Sequence, residues 1–103
     1  MSPYRDFPDS NAKELIAALE KEPAGWVCFR IARAKQKDKG IPDAMVCRRG
    51  DPLRRTHLLE IKRLGGRLSE AQITFIGMWP GCVHVATSSW EANQLLKECE
   101  TRR

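Results

Sequence analysis

Two strand-like apolar runs that contain charged side chains constrain the fold of this chain more than any other feature. The first run begins at Asp43, and the second carries Glu60 and Lys62. Side chains alternate between the two faces of a strand, so residues 60 and 62 point the same way while their apolar neighbours face a core. If the two runs pair as a hairpin, Asp43 is carried to the end of the sheet that holds Glu60.

The sequence therefore predicts two carboxylates and a lysine on one patch beside an apolar core. Charged groups are costly to bury, and a fold that keeps them close together usually has a use for them. Two hard oxygen ligands at short range also suit a magnesium ion. We expect a functional site at this patch.

The order of these residues resembles a known nuclease signature. Pro42-Asp43 followed by Glu60-Ile61-Lys62 is similar to the PD-(D/E)XK motif. The wider pattern resembles the VRR-NUC branch of that superfamily, found in phage proteins and repair nucleases; it comprises Gly40-Ile41-Pro42-Asp43, Glu60-x-Lys62, a Gly-Gly turn and Leu68-Ser69-x-x-Gln72. The resemblance covers about residues 9 to 96. It implies an α/β fold with a PD-(D/E)XK nuclease-like αβββαβ core, whose mixed central sheet is flanked by helices, in a single domain spanning residues 1–103.

The resemblance also implies a Mg²⁺-dependent DNA endonuclease that hydrolyses phosphodiester bonds, with Mn²⁺ able to substitute. Asp43 and Glu60 would hold the metal together with the backbone carbonyl of Ile61. Lys62 would orient the attacking water or stabilise the transition state, and Gln72 would position the water or a phosphate oxygen. The metal would neutralise charge on the phosphate and lower the pKa of a bound water.

Two alternatives remain open at this stage. Ser69-Glu70-Ala71-Gln72 reads as a helix capping box, so Gln72 can be explained as a cap; it also shares a helix face with Phe75, Ile76 and Trp79. For the whole chain, the alternative is a non-catalytic nucleic-acid-binding module on a nuclease fold. The Asp43, Glu60 and Lys62 trio counts against that alternative, because binding phosphates does not require two acids.

Charge favours a nucleic-acid partner. The net charge is +5, and residues 30 to 67 hold twelve Lys or Arg against four acids. A positive field around the predicted site is typical of phosphate-backbone binding. The expected contacts are Lys35, Lys37, Lys39, Arg63 and Arg67. For the three lysines a plain solvated loop is an equally open interpretation. No aromatic run offers base stacking, so recognition by DNA shape is expected.

A small core with no second domain to clamp a duplex predicts a homodimer that acts on branched DNA such as a four-way (Holliday) junction. Junction resolution is associated with the phage VRR-NUC proteins that the chain resembles. Trp79 and Trp90 are the first candidates for the interface, with core packing as the alternative for both. The polar N-terminus and the lack of a long apolar run predict a cytoplasmic protein without a membrane partner, in the host cytoplasm if phage-encoded.

The four cysteines are far apart and contain no Cys-x-x-Cys pair, which argues against a zinc site or a disulfide framework and for buried free thiols. His57 and His84 have no ligand beside them in the sequence, so structural roles are expected.

Periodicity and turn signals predict the order α-β-β-β-α-β-α, with the fourth strand returning beside the first elements. The predicted elements are a helix from about Asn11, capped by Asn11-x-x-Glu14, to Lys21; strands Trp26–Arg33, Asp43–Arg48 and His57–Arg63; a helix from Ser69 to Pro80; a strand Cys82–Thr87; and a last helix capped by Ser88 and Glu91. Whether Asp9, Glu14 or Glu20 adds a first-helix acid to the site is left open.

Overall fold

The computed structural model describes residues 7–31 and 40–102, and the side chains of residues 7–11 lie outside that description. Within these ranges the predicted order of helices and strands is confirmed. The elements are α1 (Phe7–Glu20), β1 (Trp26–Arg30), β2 (Ala44–Arg48), β3 (His57–Ile61), α2 (Glu70–Met78), β4 (Val83–Ala86) and α3 (Ser89–Thr101).

The strands form one mixed sheet in the order β1-β2-β3-β4. The first three are antiparallel neighbours joined by local connections, and β4 pairs in parallel with β3. A parallel neighbour requires a crossover connection, which α2 supplies between β3 and β4. The prediction that the fourth strand returns beside the first elements is wrong, because β4 lies at the edge beside β3 and two strands separate it from β1.

One face of the sheet holds the hydrophobic core. Trp26, Val46 and Leu59 point from neighbouring strands to this face and are fully buried. They pack with Leu19 of α1 and Leu96 of α3, which cover the face together. Period-2 alternation in the strands and an apolar stripe on each helix produce this packing.

Among the described residues, helix α2 covers one end of the opposite face. Met45 and Leu58 on this face line an apolar cleft of about 340 Å³ with Phe75 and Trp79 of α2. Towards β1 the same face stays open, and Phe29 is 66% exposed there. The carboxylates predicted for the site point to this less covered face, beside α2.

Helix α1 starts earlier than the sequence indicated. It begins at Phe7, so Asn11 lies inside the helix and the predicted capping box of Asn11 with Glu14 is wrong. Pro8 is compatible with this earlier start, because a proline is tolerated in a first helical turn, where the N–H groups have no intrahelical partner. The strands are also slightly shorter than predicted, with β3 ending at Ile61.

Candidate functional site

The antiparallel pairing of β2 and β3 brings the two predicted carboxylates together. Ala44 pairs with Leu59, which sets Asp43 opposite Glu60 on one face of the sheet. Both side chains are buried, at 1% and 2% exposure. The Asp43 N–H donates to the Leu59 carbonyl at 2.9 Å, and Asp43 Oδ2 accepts from the Ile61 N–H at 2.7 Å. Asp43 is thus tied to the backbone of the strand that carries Glu60.

The segment that precedes Asp43 passes very close to the first turn of α2. Gly40 is buried and has φ +73°, a left-handed conformation that favours glycine. A Cβ at this position would overlap the Ala71 carbonyl and lie 2.6 Å from the backbone nitrogen of Gln72. The Gly40-Ile-Pro segment therefore sets the first turn of α2 against the strand entry, and Pro42 is fully buried there.

Lys62 and Gln72 both reach the Glu60 carboxylate. The Lys62 ammonium lies 3.7 Å from Glu60 Oε2, and Gln72 Nε2 donates to the same oxygen at 2.9 Å. Gln72 Oε1 also accepts from the Ser69 N–H at 2.7 Å, while Ser69 Oγ accepts from the Gln72 N–H at 3.2 Å. The predicted capping box is confirmed, and the same glutamine contacts the predicted site; its two interpretations are compatible.

Strand geometry directs the Ile61 carbonyl to the side of β3 on which Asp43 lies. In a strand the N–H and C=O of one residue point to the same side. Since the Ile61 N–H points to the Asp43 carboxylate, the Ile61 carbonyl points towards the same edge. Two buried carboxylates and a backbone carbonyl form a set of hard oxygen donors, which fits Mg²⁺ or Mn²⁺. We call Asp43, Glu60, Lys62 and Gln72 the carboxylate site.

The predicted phosphate contacts are only partly placed. Arg63 and Arg67 are exposed and flank the Gly65-Gly66 turn, in which the Gly66 N–H donates to the Arg63 carbonyl at 2.8 Å. Arg63 follows Lys62 directly, and Arg67 comes five positions after Lys62. The loop lysines Lys35, Lys37 and Lys39 lie outside the described residues.

The first helix offers the site no acid among its described side chains. Glu14 is exposed, and Glu20 Oε2 accepts from the Cys28 N–H of β1 at 3.1 Å. The Asp9 side chain lies outside the described residues.

A second cluster of chemically active side chains lies at the other end of the sheet. His57 Nδ1 is 3.2 Å from His84 Nε2, and Cys82 Sγ is 2.8 Å from Cys99 Sγ. One ligand atom from each of the four residues lies within 4.8 Å of the others. The prediction that neither histidine has a neighbouring ligand is wrong, and cysteine spacing was no guide here. The thiols are free, but the prediction that they are buried is wrong: Cys82 is exposed, and Cys28, Cys47 and Cys99 are partly exposed.

Pairing between distant strands creates this His/Cys cluster. His57 is the residue opposite Cys82 in the parallel β3–β4 register, and His84 follows two residues later on the same face. Cys99 approaches from α3. The Cys82-x-His84 spacing on one strand face was a usable signal, because residues i and i+2 share a face. His57 and Cys99 join this pair only through tertiary contacts, which the local sequence does not indicate.

Polar neighbours hold the cluster in place. His57 Nε2 lies 2.8 Å from Glu100 Oε2, and the Arg48 Nε donates to Glu100 Oε1 at 2.6 Å. The Arg55 guanidinium donates to the Glu100 carbonyl at 3.0 Å. Burial, followed by electrostatic interactions with the neighbouring His57 and Arg102 side chains, lowers the pKa of His84 to about 4. His84 is therefore a neutral imidazole at neutral pH.

The thiol of Cys99 is protonated at neutral pH without a metal. Burial and the contact with Cys82 raise its pKa to about 11. A second thiol, Cys28, has a pKa raised to about 12 by burial and by the Glu20 carboxylate.

The chain matches no family model, and no curated protein or solved structure is significantly similar to it. No helix in residues 7–31 or 40–102 is long and apolar enough to cross a membrane.

Proposed function

We propose that this protein is a metal-dependent nuclease of the PD-(D/E)XK superfamily, similar to the VRR-NUC branch, which hydrolyses phosphodiester bonds in DNA. The element order and mixed sheet are compatible with the αβββαβ core of that superfamily. Fold alone does not license an activity, so the proposal rests on the carboxylate site.

One observation carries the proposal: Asp43, directly before β2, and Glu60, on the adjacent strand β3, are both buried, and Lys62 and Gln72 both reach Glu60. Four polar groups converge from three segments of the chain onto one patch beside an apolar cleft. Neighbouring carboxylates repel each other, and both of these offer oxygen atoms that are hard metal ligands. A divalent cation compensates the repulsion directly.

Asp43, Glu60 and the Ile61 carbonyl are the residues that would hold Mg²⁺ or Mn²⁺. When bound, such an ion supplies a Lewis acid for the phosphate and lowers the pKa of water. Lys62 places a positive charge at the same patch, where it orients the water and stabilises charge that develops on the phosphate oxygens. Gln72 fixes the Glu60 carboxylate through its amide and offers a hydrogen-bonding group beside it.

Exposed arginine and lysine side chains near the site would bind the nucleic acid backbone. Arg63 and Arg67 follow Lys62 on an exposed turn, so a phosphate held there lies next to the carboxylate site. The lysines at 35, 37 and 39 precede Asp43 in the chain and are proposed to extend this contact. Contacts of this kind position the backbone without reading its sequence.

The rival function is a DNA-binding module without catalysis. Two buried carboxylates weaken a phosphate-binding surface, because they repel the ligand that the surface must attract. A pure binding module gains nothing from Asp43 and Glu60 at this position. The carboxylates therefore favour the nuclease over the binding module.

A cleavage assay on linear, flapped and four-way DNA, in Mg²⁺, Mn²⁺ or EDTA, tests the proposal. We expect cleavage with either metal and none in EDTA. Asp43→Asn retains an oxygen that can accept from the Ile61 N–H, so it removes a charge with little change in shape. It should abolish cleavage, whereas the matched control Glu14→Gln, at an exposed position on α1, should not. DNA binding without cleavage under any of these conditions would favour the rival.

We also propose that the nuclease is a homodimer that prefers branched DNA. Trp79 and Trp90 are 42% and 68% exposed, so core packing does not account for either. The open sheet face adds Phe29 to this exposed apolar surface, beside the cleft that Trp79 lines. Exposed apolar surface of this kind favours association. Light scattering at micromolar concentration should give twice the chain mass, and a Trp79→Glu variant should be monomeric.

A further inference from the structure

We propose that His57, Cys82, His84 and Cys99 form a structural binding site for a zinc-class divalent cation. The site is independent of the proposed nuclease activity. His57 is the first residue of β3 and faces the core side, whereas Glu60 faces the opposite side about 10 Å further along the strand. Two imidazoles and two thiols are the donor set of structural zinc sites, and these softer ligands select against Mg²⁺.

The spacing of the donor atoms fits four-coordination. Around a tetrahedral zinc ion with Zn–N bonds of about 2.0–2.1 Å, two nitrogens lie about 3.3 Å apart. His57 Nδ1 and His84 Nε2 are 3.2 Å apart. Two sulfurs with bonds of about 2.3 Å lie about 3.8 Å apart, so the sulfurs of Cys82 and Cys99, now at 2.8 Å, must separate by about 1 Å. Cys82 is exposed and precedes β4, where such a shift needs little rearrangement.

Glu100 supplies the outer support that such sites need. A metal-binding histidine usually donates its second ring N–H to a carboxylate, which fixes the tautomer and the ring orientation. His57 Nε2 lies 2.8 Å from Glu100 Oε2, so donation there leaves the Nδ1 lone pair directed at His84 and the cluster. Arg48 and Arg55 hold Glu100 in turn, through its side chain and its backbone carbonyl.

The four ligands come from three elements that meet only in the folded chain. His57 belongs to β3, the Cys82 and His84 pair to the start of β4, and Cys99 to α3. An ion bound to all four would join the parallel edge of the sheet to the helix that covers it. Because the protein provides four ligands, it leaves no open position for a substrate, and the ion is structural rather than catalytic.

Cobalt substitution provides the first test. Apoprotein prepared under reducing conditions is titrated with Co²⁺, which reports thiolate ligands as a near-ultraviolet charge-transfer band and tetrahedral geometry as intense visible bands. We expect both signals to saturate at one ion per chain and Zn²⁺ to displace them. Cys82→Ser should abolish the site without unfolding the chain, since Cys82 is exposed, and Cys47→Ser is the matched control because Cys47 contacts Thr56 outside the cluster.

Glu100→Gln tests the positioning role of the outer carboxylate. It should reduce zinc affinity about 10–100-fold while the cobalt spectrum keeps its tetrahedral, thiolate-bound form, because the four ligands are unchanged.

Two results would overturn the metal site. One is a reduced wild-type protein that gives no thiolate band with Co²⁺ and no rise in Tm with equimolar Zn²⁺. The other is protein that is reduced and then exposed to air with equimolar Zn²⁺, if its mass falls by two hydrogens and Cys82 and Cys99 are found linked to each other. That outcome would assign the short sulfur–sulfur distance to a disulfide.

Discussion

The Gln72 side-chain amide donates a hydrogen bond to Oε2 of the buried Glu60 carboxylate across 2.9 Å. The carbonyl oxygen of the same amide accepts from the Ser69 N–H, which closes the capping box of α2. One side chain therefore fixes the start of a helix and the orientation of a proposed metal ligand. Helix α2 is held against the carboxylate site by this bond and by the close approach of Gly40.

Gln72→Ala should reduce cleavage strongly, because Glu60 loses its amide partner as well as any group positioned beside it. The matched control is Ser69→Ala, which removes the other half of the capping box without a direct contact to Glu60. Loss of an N-cap hydroxyl costs about 0.5–2 kcal/mol of stability. Turnover and thermal melting of both variants separate the two roles: equal activity losses at equal Tm would assign Gln72 to capping alone.

Gly40→Ala should damage the site through the backbone. A left-handed φ costs a residue with a Cβ about 1–2 kcal/mol, and the added methyl would also overlap the Ala71 carbonyl. Helix α2 must then move away from the strand entry, and Gln72 moves with it. We expect a lower Tm and reduced cleavage.

Gly77→Ala is the matched glycine control. Gly77 lies exposed within α2, and nothing stands within 4 Å of an added Cβ. Replacing a helical glycine by alanine usually gains about 0.5–1 kcal/mol. A Gly40→Ala variant as stable and active as Gly77→Ala would contradict the proposed packing of Gly40 against α2.

Asp51 should make the turn between β2 and β3 sensitive to acid. Hydrogen bonds from the Arg55 side chain and N–H hold the pKa of the Asp51 carboxyl well below its usual range. Since the folded pKa lies below the unfolded value of about 3.9, this contribution to stability is present above pH about 4 and is lost as the pH falls further. Asp51→Asn should lower the Tm at pH 7, and its difference from wild type should shrink below pH about 4. A difference that is constant with pH would contradict this assignment.

The carboxylate site was predictable because its parts are local. Asp43 and Glu60 lie on strands joined by a short connection, and period-2 alternation fixes which face each side chain takes. Ser69 and Gln72 are three residues apart, so the capping box is readable without tertiary structure. What the sequence did not reveal is that Gln72 could serve both Ser69 and Glu60, which depends on where α2 lies.

The His/Cys cluster was missed because it depends on long-range placement. His57 and Cys99 are 42 positions apart, and they meet only when β4 pairs in parallel with β3 and α3 packs over that edge. The start of α1 was misjudged for a different reason. The predicted start rested on Asn11-x-x-Glu14 as a capping box, whereas the helix already begins at Phe7, where Pro8 in the first turn breaks no intrahelical hydrogen bond.

Salt dependence tests whether Arg67 contacts the DNA backbone beside the carboxylate site. Each phosphate contact that is lost should flatten the log–log slope of duplex binding against salt by about 0.9. Arg67→Gln should therefore bind more weakly with a smaller slope, measured by fluorescence anisotropy in EDTA to prevent cleavage. Arg54→Gln is the control, because Arg54 is equally exposed but lies in the connection at the far end of the β2–β3 hairpin. Equal slopes for the two variants would place the DNA elsewhere and remove Arg67 from the proposed interface.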